Sequence, residues 1–134
     1  MFLESFLFFG LFFLTAVAVV VLFLYLYAIV TPYDDYKLIF EENNSAAAIA
    51  FGGAVLGLSI PLYSALVSSV SYVDFIIWAI VAMVIQLLLA LVLTRTKGKF
   101  SFEKQITEGI VSSGVLKAFL SISIGLLNAG SMSY

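Results

Sequence analysis

Lys117 is a lone formal charge inside the last of four long apolar segments, and few other residues have the type or spacing for chemistry. An ionisable side chain at the centre of a membrane helix costs roughly 2.5–3.5 kcal/mol on insertion scales, so its presence points to a function or to an escape route for the ammonium. Two registers of the last segment separate these cases. A helix starting near Gly109 puts Lys117 about 12 Å deep at ~1.5 Å per residue. A start at Ser112 puts it about 7 Å deep, where the stem can snorkel to the interface. A functional cation there needs an anionic substrate group or a carboxylate. Glu108 lies on the opposite face of the same helix, so Glu41 or Glu42 is the better candidate.

The stripe that carries Lys117 continues through Ser121 to Asn128, with Gln86 in the third segment and Ser59 in the second. A polar conduit would use these side chains; bundles also use such groups as cross-helix hydrogen bonds, worth roughly 0.6–2 kcal/mol. Glu41, Glu42, Asn43 and Asn44, with Asp34 and Asp35 nearby, form the densest polar cluster. Its oxygens suit a hard cation. Acids ahead of a helix and an Asn or Ser cap give the same composition. Arg95, Lys97, Lys99 and Lys104, interleaved with Phe100 and Phe102, suit an anionic leaflet or an acidic cytoplasmic protein partner.

The remaining inventory excludes more than it offers. With no cysteine and no histidine, disulfides, thiolate nucleophiles, zinc sites with their usual ligands and histidine acid–base work are ruled out. No nucleophile–base pair, metal-ligand set or phosphate-binding loop is present, so no enzyme, cofactor or metal centre is expected. A net charge of -2 gives no nucleic-acid footprint.

The elements that must position these residues are membrane spans. The chain is 63% hydrophobic and 10% charged, against about 25% charged for a soluble domain. Its mean hydropathy is +1.19. Four stretches suffice to cross ~30 Å of hydrocarbon: about Phe6 to Val30, Ser45 to Val67, Phe75 to Leu93, and from between Ile106 and Ser112 onward. Helices are the natural form, since each stretch exceeds strand length. Ala16-Val17-Ala18 is a nominal signal-peptidase site, but Glu4 and the absence of a basic n-region favour a retained helix. Basic residues crowd the connection after span three, with Lys37 after span one and none in 68–74. The positive-inside bias then predicts cytoplasmic loops at 31–44 and 95–105, with both termini outside. Tyr25, Tyr27, Tyr33 and Tyr36 would mark the inner interface, and Tyr72, Trp78 and Tyr134 the outer one.

The segment from Lys37 through Ile39 and Glu41 to Ser45 recurs as Lys104, Ile106, Glu108 and Ser112, at an offset of half the chain. Duplication would make the protein two tandem hairpins in parallel orientation, residues 1–70 and 71–134 of a single domain. Two helix starts with independently chosen caps would look similar. Glu41 with Asn43-Asn44, Ala46-Ala47-Ala48, Gly52-Gly53, Gly57, and the closing Gly125, Asn128-Ala129 and Met132 carry a resemblance to a known family. The chain resembles the domain of unknown function 350 family of small bacterial inner-membrane proteins. The resemblance implies a four-helix bacterial inner-membrane protein and a genomic setting near membrane-stress proteins, without implying an activity. One departure is that Glu108-Gly109-Ile110-Val111 stands where the first half has Glu41-Glu42-Asn43-Asn44, so the amide pair is not duplicated.

Span two carries a stripe of Ala46, Ala50, Gly53, Gly57, Pro61 and Ser64, and span four a matching one through Gly114, Lys117, Ser121, Gly125 and Asn128. Close approach of small residues drives helix association in lipid, so spans two and four should meet at the centre. Pro61 removes the amide that would serve the Gly57 carbonyl, and Ser59 could replace it. The expected fold is an all-α membrane bundle that forms homo-oligomers through these small-residue faces. Two functions fit: a non-catalytic scaffold or docking subunit, or a small channel or transporter along spans two and four.

Overall fold

A computed structural model describes residues 1–132, so Tyr134, expected at the outer interface, lies outside the described residues. The chain forms α1 (Phe2–Val30), a π-helical turn (Lys37–Glu41), α2 (Ser45–Ser68), α3 (Tyr72–Thr94), α4 (Phe102–Thr107) and α5 (Val111–Ser131). Among the described residues there is no strand. Four of these helices, α1, α2, α3 and α5, are long and apolar enough to cross a membrane. The α1 helix runs unbroken past Ala16-Val17-Ala18.

Local chemistry sets the boundaries. Pro32 disfavours helical geometry in the residue before it, and α1 ends at an extended Thr31 with ψ 139°. Asn44 caps α2 by accepting from the Ala47 amide at 3.0 Å. Ser71 caps α3 by accepting from the Asp74 amide at 3.1 Å. The stretch in which span four was expected to begin is divided. Ser101 caps the short α4, accepting from the Lys104 amide at 3.2 Å, and Gly109, at φ +78°, turns the chain into α5.

At the centre, α2 and α5 run parallel. Gly114, near the start of α5, lies against Ala46 near the start of α2, and Ser64 donates to the Ala129 carbonyl at 3.5 Å near the other ends. A methyl group on Gly53 would strike the backbone of Ala118, and one on Gly57 would strike the carbonyl of Ser121. One on Gly125 would strike the Gly57 carbonyl. That carbonyl is the one Pro61 deprives of a donor, so the vacated space is filled by a glycine backbone. Ser59 does not serve it and donates instead to the Val55 carbonyl at 2.8 Å.

The α3 helix closes one side of this pair with a buried stripe from Phe75 to Thr94. Along α3 and parallel to it lies α1: Phe12 packs on Tyr72 and Phe75, and Arg95 donates to the Val30 carbonyl at 3.4 Å. Only Ala16, Phe23 and Tyr27 of α1 are buried, so most of its surface faces lipid.

Some of the buried positions of the two halves coincide, whereas Ala46, Gly53, Gly57 and Leu62 fall on the partly exposed Ser113, Leu120, Ile124 and Ala129. Shifted by half the chain, Ala16, Phe23 and Tyr27 fall on Met83, Ala90 and Thr94, all buried. Likewise Ala47, Ala50, Ala54, Leu58, Pro61 and Ala65 of α2 fall on Gly114, Lys117, Ser121, Gly125, Asn128 and Met132, all buried.

The expected homo-oligomer contact needs correction on physical grounds. The faces of Ala46, Ala50, Gly53, Gly57, Pro61, Gly114 and Gly125 are consumed inside one chain, so they hold the monomer together and are not offered to a second copy. Gly57→Ala and Gly125→Ala are each expected to lower stability in SDS-titration unfolding by about 1–3 kcal/mol, the usual cost of overpacking. Gly52→Ala, where the new methyl meets open space, should change it by less than about 0.5 kcal/mol. Equal effects at the three positions would contradict a close-packed seam.

Candidate functional site

Lys117 lies on the buried face of α5 and is 0% exposed. Long side chains on a helix lean toward its N-terminus, which carries the ammonium toward the end of the bundle where the basic loop lies. There it donates a hydrogen bond to the Tyr27 hydroxyl, with Nζ 4.8 Å from the ring centroid. Tyr27 is held on its other side by Phe23 and by an edge contact with Phe51, ring centroids 5.0 Å apart.

Beyond Tyr27 the chain turns at Pro32 and folds back along α1, pinned by Tyr36, whose hydroxyl donates to the Leu24 carbonyl at 3.0 Å. This return buries Asp35, which is 1% exposed and accepts a hydrogen bond from the Thr31 hydroxyl. Burial pushes its carboxyl up to about 6, against the pull of the Thr31 hydrogen bond and then of the Lys117 cation. The hydroxyl of Tyr33 is buried with no hydrogen-bond partner, and burial together with the charge of Asp35 drives its ionisation upward. Lys117, Tyr27, Thr31, Asp35 and Tyr33 therefore form one polar cluster inside the basic end of the bundle.

Several expectations change here. Lys117 neither hangs in mid-bilayer nor snorkels to lipid; it snorkels inside the protein. The buried carboxylate on which its charge acts is Asp35, whereas Glu41, Glu42 and Glu108 are exposed. The reason is the back-fold at Pro32, which turns Thr31, Tyr33 and Asp35 inward and leaves residues 40–43 outside. Tyr27 and Tyr33 are buried and do not mark an interface; Tyr25 and Tyr36 are exposed. The signal that could have found Tyr27 is helical spacing, since Phe23 and Tyr27 lie four residues apart on one stripe of α1 that ends at Thr31; Asp35, beyond the turn, carries no such signal.

The remaining polar residues act between helices. Gln86, 1% exposed, donates from α3 to the Ser121 carbonyl of α5 at 2.9 Å. Ser121 and Asn128 are buried in the seam. The Gln86 Oε1 and Asn128 Nδ2 atoms have no hydrogen-bond partner. Asn44, besides capping α2, donates to the Ile106 carbonyl at 2.7 Å and so ties α2 to α4. Asn43 is exposed in a left-handed conformation with φ 52°. Among the described residues no acidic group is arranged to hold a metal ion. Arg95, Lys97, Lys99 and Lys104 are all exposed, with Lys99 over the Phe100 ring at 5.3 Å from its centroid.

Four apolar spans around a small-residue seam, with a charged cluster closed inside one end, define a multi-pass helical membrane protein. The chain belongs to the family described as Domain of Unknown Function (DUF350), whose profile matches residues 1–132. It is similar to the inner membrane protein YjfL of Escherichia coli strain K12, 36% identical over 98% of both chains. The YjfL of Escherichia coli O157:H7 matches to the same extent, 36% over 98% of both. No solved structure matches the chain.

The cluster generates a pH dependence whose sign is fixed. Asp35 binds its proton more tightly in the folded protein (about 6) than at its ordinary value of 3.8, so stability is greatest below the ordinary value and falls as pH rises through about 6. At about 1.4 kcal/mol per pH unit, the loss is of order 3 kcal/mol. Asp35→Asn should flatten unfolding stability between pH 4 and 6, whereas Lys117→Met, which removes the opposing cation, should move the fall to higher pH. A wild-type slope unchanged by Asp35→Asn would contradict this.

Proposed function

We propose that this protein is a non-catalytic scaffold or docking subunit of the bacterial inner membrane, with its basic end toward the cytoplasm and both chain termini outside. The observation that carries this reading is the closed seam. The stripe a conduit would need, Lys117, Ser121 and Asn128, is buried where α2 and α5 touch backbone to backbone. The charges offered outward at one end are Arg95, Lys97, Lys99 and Lys104. Positive residues concentrate on cytoplasmic loops, which favours this orientation, and the similarity to an inner membrane protein favours the compartment. The recurrence of Lys37, Ile39, Glu41 and Ser45 as Lys104, Ile106, Glu108 and Ser112, with part of the buried positions in the same register, supports an origin by duplication of a hairpin. Any association between copies of the chain would use faces other than this seam, which is closed within one chain.

A second reading, a small channel or transporter, is favoured by the charge closed inside the bundle, since intramembrane ionisable groups often mark a pathway. Thiol chemistry separates the two cleanly, because the chain has no cysteine. Ser121→Cys and Asn128→Cys are expected to resist a membrane-impermeant maleimide in intact and inverted membranes. Lys97→Cys should react only in inverted vesicles. Labelling at 121 and 128 would replace the scaffold by a water-filled conduit, and labelling of 97 from the outside would reverse the orientation.

A further inference from the structure

Three grooves open at the basic end of the bundle, and their linings differ in charge. One, beside the start of α2, includes Glu42 and Glu108. A second, under the loop after α3, includes Glu103. The third lies between α4, the loop before it and the outer face of α5, and it has no carboxylate in its lining. At about 470 Å³ it is also the largest of the three.

We propose that this third groove is a binding site for an anionic phospholipid, with the headgroup phosphate at Lys99 and one acyl chain along Leu116 and Leu120. The groove is polar at one end and apolar at the other. At the polar end stand Lys99, Gln105 and Ser113; Ser113 donates to the Gln105 Oε1 at 2.9 Å, which leaves the Gln105 amide N–H groups as donors for a phosphate oxygen. At the apolar end Leu116 and Leu120 stand one turn apart on α5, a membrane span, with Leu116 53% exposed. Phe102 forms the wall on α4. An inorganic phosphate would use only the polar end, and a detergent-like tail only the apolar one. A lipid in register with the span uses both.

The charge selects among lipids. A single cation with no carboxylate in the lining favours a headgroup of net negative charge over a zwitterionic one, by an amount comparable to one juxtamembrane basic residue on an anionic surface. The inference requires that α5 spans a bilayer and is independent of which end faces the cytoplasm.

Native mass spectrometry of the purified chain, titrated with phosphatidylglycerol or phosphatidylcholine of the same acyl chains, tests it. One phosphatidylglycerol should be retained about fivefold more strongly than phosphatidylcholine. Lys99→Gln should abolish that preference, whereas Lys97→Gln, removing an equal charge outside the groove, should leave it. Leu120→Trp, filling the apolar end at a half-exposed position, should weaken retention of both lipids, with folding checked by an unchanged unfolding temperature. Equal retention of the two lipids by the unmodified chain overturns the site. So does an equal loss in Lys97→Gln and Lys99→Gln, which would mean diffuse attraction to a basic surface.

Discussion

The contact on which the rest of this structure depends is the backbone-to-backbone approach of α2 and α5. Within a bilayer the side chains of leucine and phenylalanine gain nothing by leaving lipid for protein, so helices associate through close van der Waals packing. Only small residues permit that approach, and here Gly53 meets Ala118 while Gly57 meets Ser121 and Gly125. The large side chains of α1 and α3 can then wrap the pair without having to drive its formation. This ordering explains why α1 can leave most of its surface to lipid while half of the most apolar stretch of α2 is buried.

The same approach creates the charged interior. A residue on the seam side of α5 cannot reach lipid, so an ammonium placed there must be satisfied within the protein. The direction in which a helical side chain leans takes Lys117 toward the basic end, where Tyr27 accepts its hydrogen bond and Asp35 supplies an opposing field. Burying two charges is costly, and their mutual attraction recovers that cost only when hydrogen bonds satisfy the remaining valences. Thr31 does so for Asp35. The cluster thus fixes how the segment 31–36 folds back, and through Asn44 and Ile106 the adjoining mouths of α2 and α4 are held in register.

The parts legible in the sequence were those set by local pattern. Length and hydropathy identify the spans, and the small-residue stripes of α2 and α5 identify their contact. Pattern along one helix does not reveal which loop residue folds back into the bundle. That is why Glu41 and Glu42 looked nearer to Lys117 than Asp35, and why Tyr27 read as an interface tyrosine. Stripe matching also leaves open whether two faces meet within one chain or between copies. The backbone approach at Gly57 and Gly125 decides it for this chain. The short α4 escaped notice because its six residues carry too little periodicity to stand out beside a twenty-residue span.

On the proposed duplication, the two halves share part of their interior positions and differ in what fills them, while the seam glycines Gly53 and Gly57 have no buried counterpart at Leu120 and Ile124. Ala50, Ala54, Leu58 and Pro61 of α2 correspond to Lys117, Ser121, Gly125 and Asn128 of α5. Tyr27, which receives the ammonium, corresponds to Thr94. A symmetric pair of hairpins would hold two equivalent interior sites, one built from Tyr27 and Lys117 and the other from Thr94 and Ala50. Only the first carries a charge. Two buried lysines near one axis would repel in a low-dielectric interior and double the desolvation cost, whereas one can be satisfied by a single tyrosine and a single carboxylate. The apolar stripe of α2 therefore supplies the packing that the polar stripe of α5 requires, and the asymmetry between them confines the charge to one place.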